Sequence, residues 1–158
     1  MKELALIVSA ALTCSSAAPS ADPVTPTEFR SAGEDRQAIQ ALLDTYTRAV
    51  STKDRRLFET LLLNQSIPFS SADAAVEAAD REDGSRNYAR FRSGVFDGEP
   101  FTQRFRKVRI EQDGALASVT LVFVNTRPGS SSWGWKTLHL LKIKGAWKIA
   151  SEFYTTHR

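Results

Sequence analysis

The chain has 158 residues, of which 42% are hydrophobic and 25% are charged, so it is long enough for one domain with a sizeable core and too apolar for a disordered chain. Its formal net charge of +3, from 21 basic and 18 acidic residues, is a weak bias. No basic motif is interleaved with aromatic residues, which argues against nucleic-acid binding.

The N terminus has the pattern of a secretory signal peptide. Lys2 precedes an apolar run from Leu4 to Leu12, and small residues follow at 15–18. The run is too short for a permanent membrane-spanning helix. We therefore expect residues 1–21 to be a signal peptide, residues 22–33 to be a flexible linker, and the protein to be periplasmic or secreted.

The cysteine and histidine residues, which are common metal ligands, give no pattern typical of a metal site, and we expect no resident metal or cofactor. Cys14 is the single cysteine, which excludes an intramolecular disulfide and a cysteine metal site. His139 has no nearby His, Asp and Glu cluster, and His157 lies almost at the terminus. The position of Cys14 just after the apolar run leaves open a lipid-modified N terminus.

Helical periodicity marks the first half of the domain predicted over residues 34–158. Ser31 and Glu34 have the spacing of a capping box, and the apolar residues behind them follow the stripe of an amphipathic helix over Glu34 to Val50. Asp54 is positioned to cap a second helix. The shorter predicted helices are 57–62, Ser71 to Ala79 and Tyr88 to Phe96.

The periodicity changes from helix to strand after residue 100. Tight hairpin turns are predicted at Asp113-Gly114 and Lys144-Gly145. Phe105 and Val108 cannot share a face under strict alternation, so we expect a bulge between them. Helices followed by a meander predict an α+β fold with N-terminal helices packed on one face of a curved antiparallel sheet. The predicted strands are Phe101 to Gln112, Ala115 to Asn125, Ser132 to Lys144 and Ala146 to Thr156.

Alternation along the third of these strands predicts which side chains face the interior. We expect one set to face a core or cavity and the three lysines to face outward. A local register slip would instead move His139 outward. The expected inward set is Trp133, Trp135, Thr137, His139, Leu141 and Ile143, and the outward lysines are Lys136, Lys142 and Lys144.

Two segments, Tyr46 to Asp54 and Leu140 to Ile149, together with this order of elements, resemble the nuclear transport factor 2-like superfamily. More narrowly they are similar to its polyketide-cyclase-like (SnoaL-like) and putative lumazine-binding branches. The resemblance implies a cone-shaped fold in which helices close over a strongly curved sheet around a blind cavity. It also implies homodimers formed through the outer face of the sheet. Fold alone does not assign a function.

Two residues are candidates for catalysis. Comparison with ketosteroid isomerases suggests an oxyanion-binding role for Tyr46, with ring packing in the core as the alternative, and no inward aspartate can be placed as its base. His139 could be a general base or a hydrogen-bonded core residue. Candidate ligand-binding residues, chosen as stacking rings, polar groups and an arginine that a bulge could turn inward, are Trp135, Thr137, Asn125, Arg104, Phe123 and Ser151.

The hypothesis favoured by the sequence is an exported protein that binds a small organic molecule, without established turnover. The aromatic and histidine set supports a cavity, whereas the catalytic set is incomplete. One alternative is a small enzyme of lyase, isomerase or cyclase type with His139 as base, assisted by Tyr46 and Asn125. Another is a dimeric interaction module that uses the outer face of the sheet.

Overall fold

The computed structural model describes residues 28–79 and 88–158. The predicted signal peptide and the first part of the predicted linker lie outside the described residues. In the described ranges, no helix is long and apolar enough to cross a membrane.

The α+β prediction is confirmed, because N-terminal helices pack on a five-stranded sheet that curves without closing into a barrel. The helices are α1 (Gly33–Ser51), α2 (Arg55–Glu59), α3 (Ala72–Glu77) and α4 (Tyr88–Arg92), and α4 continues into a π-helical turn at Ser93–Asp97. The strands are β1 (Phe69–Ser71), β2 (Thr102–Asp113), β3 (Leu116–Arg127), β4 (Ser130–Ile143) and β5 (Ala146–Tyr154).

The order of strands in the sheet is β1-β5-β4-β3-β2. The pairs from β2 to β5 are antiparallel, as predicted, and the short β1 pairs in parallel with β5. Lys144 and Gly145 both have positive φ, 49° and 84°, so the β4–β5 turn has the backbone twist that suits a two-residue hairpin. The predicted tight turn at this position is confirmed.

The last residues of the predicted linker, 29–31, contact the sheet. The backbone N–H of Gln112 donates to the carbonyl of Phe29, and the Ser31 hydroxyl donates to Oε1 of Gln112 at 2.6 Å. The N-cap of α1 is Ala32, without a side-chain cap. The capping-box prediction is therefore wrong, because Ser31 bonds to β2 instead of the first turn of the helix. The cap by Asp54 is confirmed, since its carboxylate accepts from the N–H of Leu57 at 2.9 Å.

Two bulges interrupt the alternation of the sheet. The predicted bulge in β2 is confirmed, with a register shift between Arg106 and Arg109. A second, unpredicted shift lies between β4 and β5, where His139 pairs with Ser151 but Leu140 pairs with Ile149. This shift leaves one extra residue, at position 150, on β5.

The prediction of the inward face of β4 is wrong. Lys136, Leu138 and Leu140 are buried beneath the helices, whereas Trp133 and Trp135 are 48% and 52% exposed. His139 is exposed as well, and Leu141 and Ile143 share its side of the strand. Side chains of β4 do alternate between the two faces of the sheet, but both faces carry apolar residues. The helices cover the face that also carries Lys136. A buried lysine needs a partner, which the neighbouring strand supplies.

The core lies between α1 and the inner face of the sheet. The predicted stripe of α1 is confirmed, since all five of its apolar positions are buried. Val119 and Leu121 of β3 and Leu138 and Leu140 of β4 belong to the same core cluster. At one end of this core, the side chains become aromatic and polar around Lys136. The buried stripe of α1 comprises Ile39, Leu42, Leu43, Tyr46 and Val50.

Candidate functional site

Three polar side chains meet at the buried end of the core. Nζ of Lys136 lies 2.7 Å from Oε1 of Glu152, and their side chains are 2% and 0% exposed. The Lys136 amine also donates to the Tyr46 hydroxyl at 2.5 Å, and that hydroxyl donates to Oε1 of Glu152 at 3.0 Å. The acid, the amine and the phenol therefore form one hydrogen-bonded cluster, which we call the Lys136 cluster.

Each member of the Lys136 cluster comes from a different element. Tyr46 belongs to the buried stripe of α1, and Lys136 has the same phase in β4 as the buried leucines. Glu152 faces inward because of the bulge in β5. Trp147 and Ile149 are buried before the bulge, and simple alternation would continue with Ser151 rather than Glu152. The extra residue therefore reverses the phase and delivers the carboxylate to Lys136.

Aromatic rings surround the Lys136 amine. Five ring centroids lie 4.4–5.9 Å from Nζ, within the range of cation–π attraction. These rings replace part of the hydration that a charged amine loses on burial. The rings belong to Tyr46, Phe91, Phe105, Phe123 and Tyr154.

Burial dominates the protonation of the Lys136 cluster. Loss of hydration lowers the pKa of Lys136 and raises the pKa of Glu152, while their mutual attraction opposes both changes. Burial also raises the pKa of the Tyr46 phenol, and the adjacent Glu152 carboxylate adds to this effect. The interior thus favours a neutral amine and a neutral acid more than water does. Oε2 of Glu152 is buried and accepts no hydrogen bond within the described residues.

A cavity of about 700 Å³ opens beside Lys136, which contributes to its lining. Aromatic walls come from the helices and from the inner face of the sheet. The charged residues that line the cavity, within the described ranges, are all basic. The aromatic lining consists of Phe69, Phe91, Phe101, Phe123 and Tyr154, and the basic lining of Arg90, Arg127, Lys136 and Arg158.

An amide pair forms part of the same cavity wall. Nε2 of Gln103 donates to Oδ1 of Asn125 at 2.8 Å, and the backbone N–H of Gln103 donates to the Ser51 hydroxyl at 2.9 Å. Gln103 is 7% exposed, and its Oε1 has no hydrogen-bond partner in the described part of the chain. Hydroxyl groups of Ser70, Ser71 and the 130–132 serines add further polar lining. The cavity can therefore offer both donors and flat apolar walls.

The predicted site residues divide between the two faces of the sheet. Phe123 and Asn125 line the cavity, and Tyr46 lies buried in the adjoining Lys136 cluster. The other five are outside the cavity lining, because the face of β4 is inverted and the bulge moves Ser151 outward. Arg104 precedes the β2 bulge and stays exposed. The five residues outside are Trp135, Thr137, His139, Ser151 and Arg104.

His139 does not adjoin the Lys136 cluster. Its Nδ1 lies 2.8 Å from the Ser151 hydroxyl on the exposed face of the sheet. Water reaches this pair freely, and no carboxylate partner of His139 is present within ranges 28–79 and 88–158. The cavity geometry consequently gives no support to His139 as its general base.

Sequence reasoning missed Lys136, Glu152, Gln103 and Arg127. The one sequence feature that could have indicated burial of Lys136 is that it alternates in phase with Leu138 and Leu140. Its charge does not prevent burial, because Glu152 pairs with it. Glu152 had no such signal, because its inward position depends on cross-strand register. The described residues contain no group of three or more His, Cys, Asp or Glu side chains that could hold a metal ion.

A family model described as "Putative lumazine-binding" matches residues 34–155. No curated protein matches the chain. A solved protein of unknown function with a cystatin-like fold, from Nostoc punctiforme, aligns with a TM-score of 0.62 and 9% identity over 81% of this chain and 95% of that chain. A nuclear transport factor 2-like protein of unknown function from Shewanella baltica gives 0.56 and 16% over 79% and 95%. The association domain of C. elegans CaMKII gives 0.59 and 18% over 76% and 94%. At these identities the structural matches show the fold alone.

Proposed function

Because the chain belongs to the putative lumazine-binding family, whose fold is nuclear transport factor 2-like, we propose that the cavity beside Lys136 binds a small organic anion with a flat body. The observation that carries this proposal is the sign of the lining charge. Arg90, Arg127, Arg158 and Lys136 line the cavity, and no Asp or Glu side chain of the described residues does so.

The arginines are available for a ligand. In the described part of the chain, Arg90, Arg127 and Arg158 form no salt bridge. The guanidinium of Arg127 lies 5.3 Å from the ring centroid of Phe101, which leaves its N–H groups for an acceptor such as a carboxylate. An anion bound here would accept charge-assisted hydrogen bonds from the arginines, and such bonds are stronger than those between neutral groups.

The aromatic walls favour a flat ligand body. Phe91, Phe101 and Phe123 contribute to the lining, and rings of this kind stack on or contact planar groups edge to face. A volume of about 700 Å³ accommodates a molecule of metabolite size. The name of the family points to lumazine, a flat heterocycle, which belongs in the first panel of candidate ligands.

Calorimetric titration tests the proposal with lumazine and with the matched pair para-toluate and para-xylene. We expect para-toluate to bind, with an affinity that falls as salt increases, and para-xylene to bind far more weakly. Arg127→Met should weaken toluate binding about tenfold, which corresponds to about 1.4 kcal/mol. Arg104→Met is the matched control and should have no effect, since Arg104 is exposed outside the cavity. Equal binding of both compounds, or of neither, would contradict the proposal.

Export remains part of this proposal and is supported by the pattern of residues 1–21. Expression of the full chain in a bacterial host followed by fractionation and N-terminal sequencing tests it. A shortened chain in the periplasmic or secreted fraction is expected. An intact N terminus in the cytoplasmic fraction would contradict export.

A second copy of the chain is a further candidate partner for the outer face of the sheet. Trp133 and Trp135 expose about half of their surface there, at 48% and 52%. Exposed indoles of this size favour burial in an interface. Light scattering should give a dimer for the wild type and a monomer for Trp135→Ser. Val76→Ser, at a residue 75% exposed on α3, is the control that should remain dimeric. A monomeric wild type would remove this candidate.

A further inference from the structure

The Lys136 amine lies at the boundary between the core and the cavity. Of the five rings around Nζ, those of Phe91, Phe123 and Tyr154 belong to the cavity lining, whereas those of Tyr46 and Phe105 do not. The whole side chain of Lys136, Nζ included, is only 2% exposed. Nζ is the reactive atom of this side chain, and its distances to the ring centroids place it next to three rings of the cavity lining.

One substituent position on Nζ is unoccupied by protein. Besides its bond to Cε, Nζ has three positions for hydrogen atoms or a lone pair. Two of them are directed to the Tyr46 hydroxyl and to Oε1 of Glu152. No third hydrogen-bond acceptor for Nζ occurs in residues 28–79 and 88–158. Because Lys136 contributes to the cavity lining, the remaining position on Nζ is the one that a ligand atom would occupy.

The neighbours of the amine are those that carbonyl condensation needs. A neutral amine is the nucleophile, an acid must protonate the departing oxygen, and a nearby anion must stabilise the resulting cation. Burial lowers the pKa of Lys136 and raises that of Glu152, so proton exchange within the pair is less costly than in water. The Tyr46 phenol contacts both groups and can relay the proton.

We infer that Lys136 is a covalent binding residue, which forms an imine with an aldehyde or ketone that carries an anionic group. The neutral amine nitrogen adds to the carbonyl carbon as the C=O π bond breaks, and the carbonyl oxygen takes the proton that the nitrogen loses, which gives a carbinolamine. Glu152, as the acid, then donates a proton to the hydroxyl, which leaves as water while the C=N bond forms. The products are one water and one iminium beside the Glu152 carboxylate, and return of the iminium proton to Glu152 gives the imine, without an external oxidant or reductant. The Glu152 carboxylate faces the iminium, and the arginines of the lining hold the anionic end.

This inference rests on the proposed anion-binding cavity and goes beyond it, since reversible binding requires no reaction. The test uses para-carboxybenzaldehyde with sodium cyanoborohydride, which converts an imine to a stable secondary amine. Intact mass and peptide mapping locate the label. Para-toluate, which lacks the carbonyl group, reports binding alone and competes for the site. We expect Lys136 to be labelled at least about tenfold faster than the exposed Lys107 and Lys144, and para-toluate to block that labelling.

The outcomes separate the two proposals. If para-toluate binds but Lys136 is labelled no faster than Lys107 and Lys144, the imine inference is wrong and the binding function stands. If para-toluate does not bind and Lys136 is unlabelled, both are wrong. Since mapping of the wild-type protein decides between these results, no variant needs to fold.

Two variants sharpen the assignment of roles where circular dichroism shows that they fold. Lys136→Met should abolish the cavity label while leaving labels on exposed lysines. Glu152→Gln should slow labelling of Lys136 and change its pH profile, because the amide cannot donate the carboxyl proton. An unchanged labelling rate and pH profile in Glu152→Gln would exclude Glu152 as the acid.

Discussion

Nζ of Lys136 and Oε1 of Glu152 lie 2.7 Å apart across the β4–β5 pair, and their side chains are only 2% and 0% exposed. This ion pair depends on the bulge in β5, because an uninterrupted strand would direct Ser151 inward instead. The Tyr46 hydroxyl completes the cluster from α1. Helix, strand and bulge therefore meet in one hydrogen-bonded unit beside the cavity.

Removing either member of this pair should destabilise the protein strongly. Glu152→Gln and Lys136→Met each leave a buried group without its counter-ion, at a cost of about 3 kcal/mol in the free energy of unfolding. The double variant Lys136→Met with Glu152→Met should cost less than the sum of the single changes, because it leaves no unpaired charge. Urea unfolding at neutral pH measures all of these. Single variants that each lose less than about 1 kcal/mol would show that the pair is energetically unimportant.

The features that local sequence predicts well are those set by one element or one turn. The stripe of α1, the glycine of the β4–β5 turn and the parity conflict between Phe105 and Val108 each gave the observed structure. These features depend on helix periodicity, positive φ and side-chain alternation, all of which act over a few residues.

The features that sequence did not predict depend on distant partners. The face of β4 was ambiguous, because Leu138 favours one phase and Trp135 the other. The charge of Lys136 argued against burial of the phase that contains it, because its partner Glu152 could not be identified from the sequence. Glu152 faces Lys136 only because of a bulge in β5, and the position of that bulge is fixed by cross-strand pairing. Predicted candidates on β3, such as Asn125, were unaffected by this error and do line the cavity.

Gly134 of β4 occupies a position where a larger residue should not fit. A Cβ at this residue would lie 1.9 Å from the carbonyl oxygen of Thr155 and 2.7 Å from the ring of Phe123. Gly134→Ala should therefore destabilise the protein by about 1–3 kcal/mol, through forced movement of backbone or ring. Gly94→Ala is the control, since a Cβ there meets nothing within 4 Å. Denaturant unfolding that ranks Gly94→Ala as the less stable variant would contradict the packing around Phe123.

Asp35 should make stability depend on pH in the acid range. It accepts from Nζ of Lys142 at 2.7 Å, Nε2 of Gln112 at 2.9 Å and Nε1 of Trp147 at 3.1 Å. The hydrogen bonds from Lys142 and then Gln112 lower its pKa, although partial burial opposes them. A lowered folded-state pKa contributes stability above the unfolded value of about 3.9 and loses it as pH falls through the folded value.

The variant Asp35→Asn isolates this contribution. The wild type should be more stable than the variant at neutral pH, and the difference should shrink as pH falls below about 4, because Asp35 then protonates. Unfolding free energies measured from about pH 2 to 7 give the difference curve. Asp44→Asn is a suitable control, because Asp44 forms no salt bridge in the described part of the chain and its carboxylate accepts from the exposed Gln40 of the same helix. A difference that stays constant down to the lowest pH would assign the effect to packing rather than charge.

The three tryptophans should report directly which face of the sheet is covered. Trp135 is 52% exposed, and Trp147 is 6% exposed with its Nε1 bonded to Asp35. A variant that keeps Trp147 through Trp133→Phe and Trp135→Phe should emit at shorter wavelength and resist acrylamide quenching. A variant that keeps Trp135 through Trp133→Phe and Trp147→Phe should be quenched readily at low protein concentration. If a second copy covers the outer face, that quenching should decrease as protein concentration rises, whereas Trp147 should show no such change. Equal quenching of both variants in dilute protein would contradict the inverted face of β4, on which the burial of Lys136 depends.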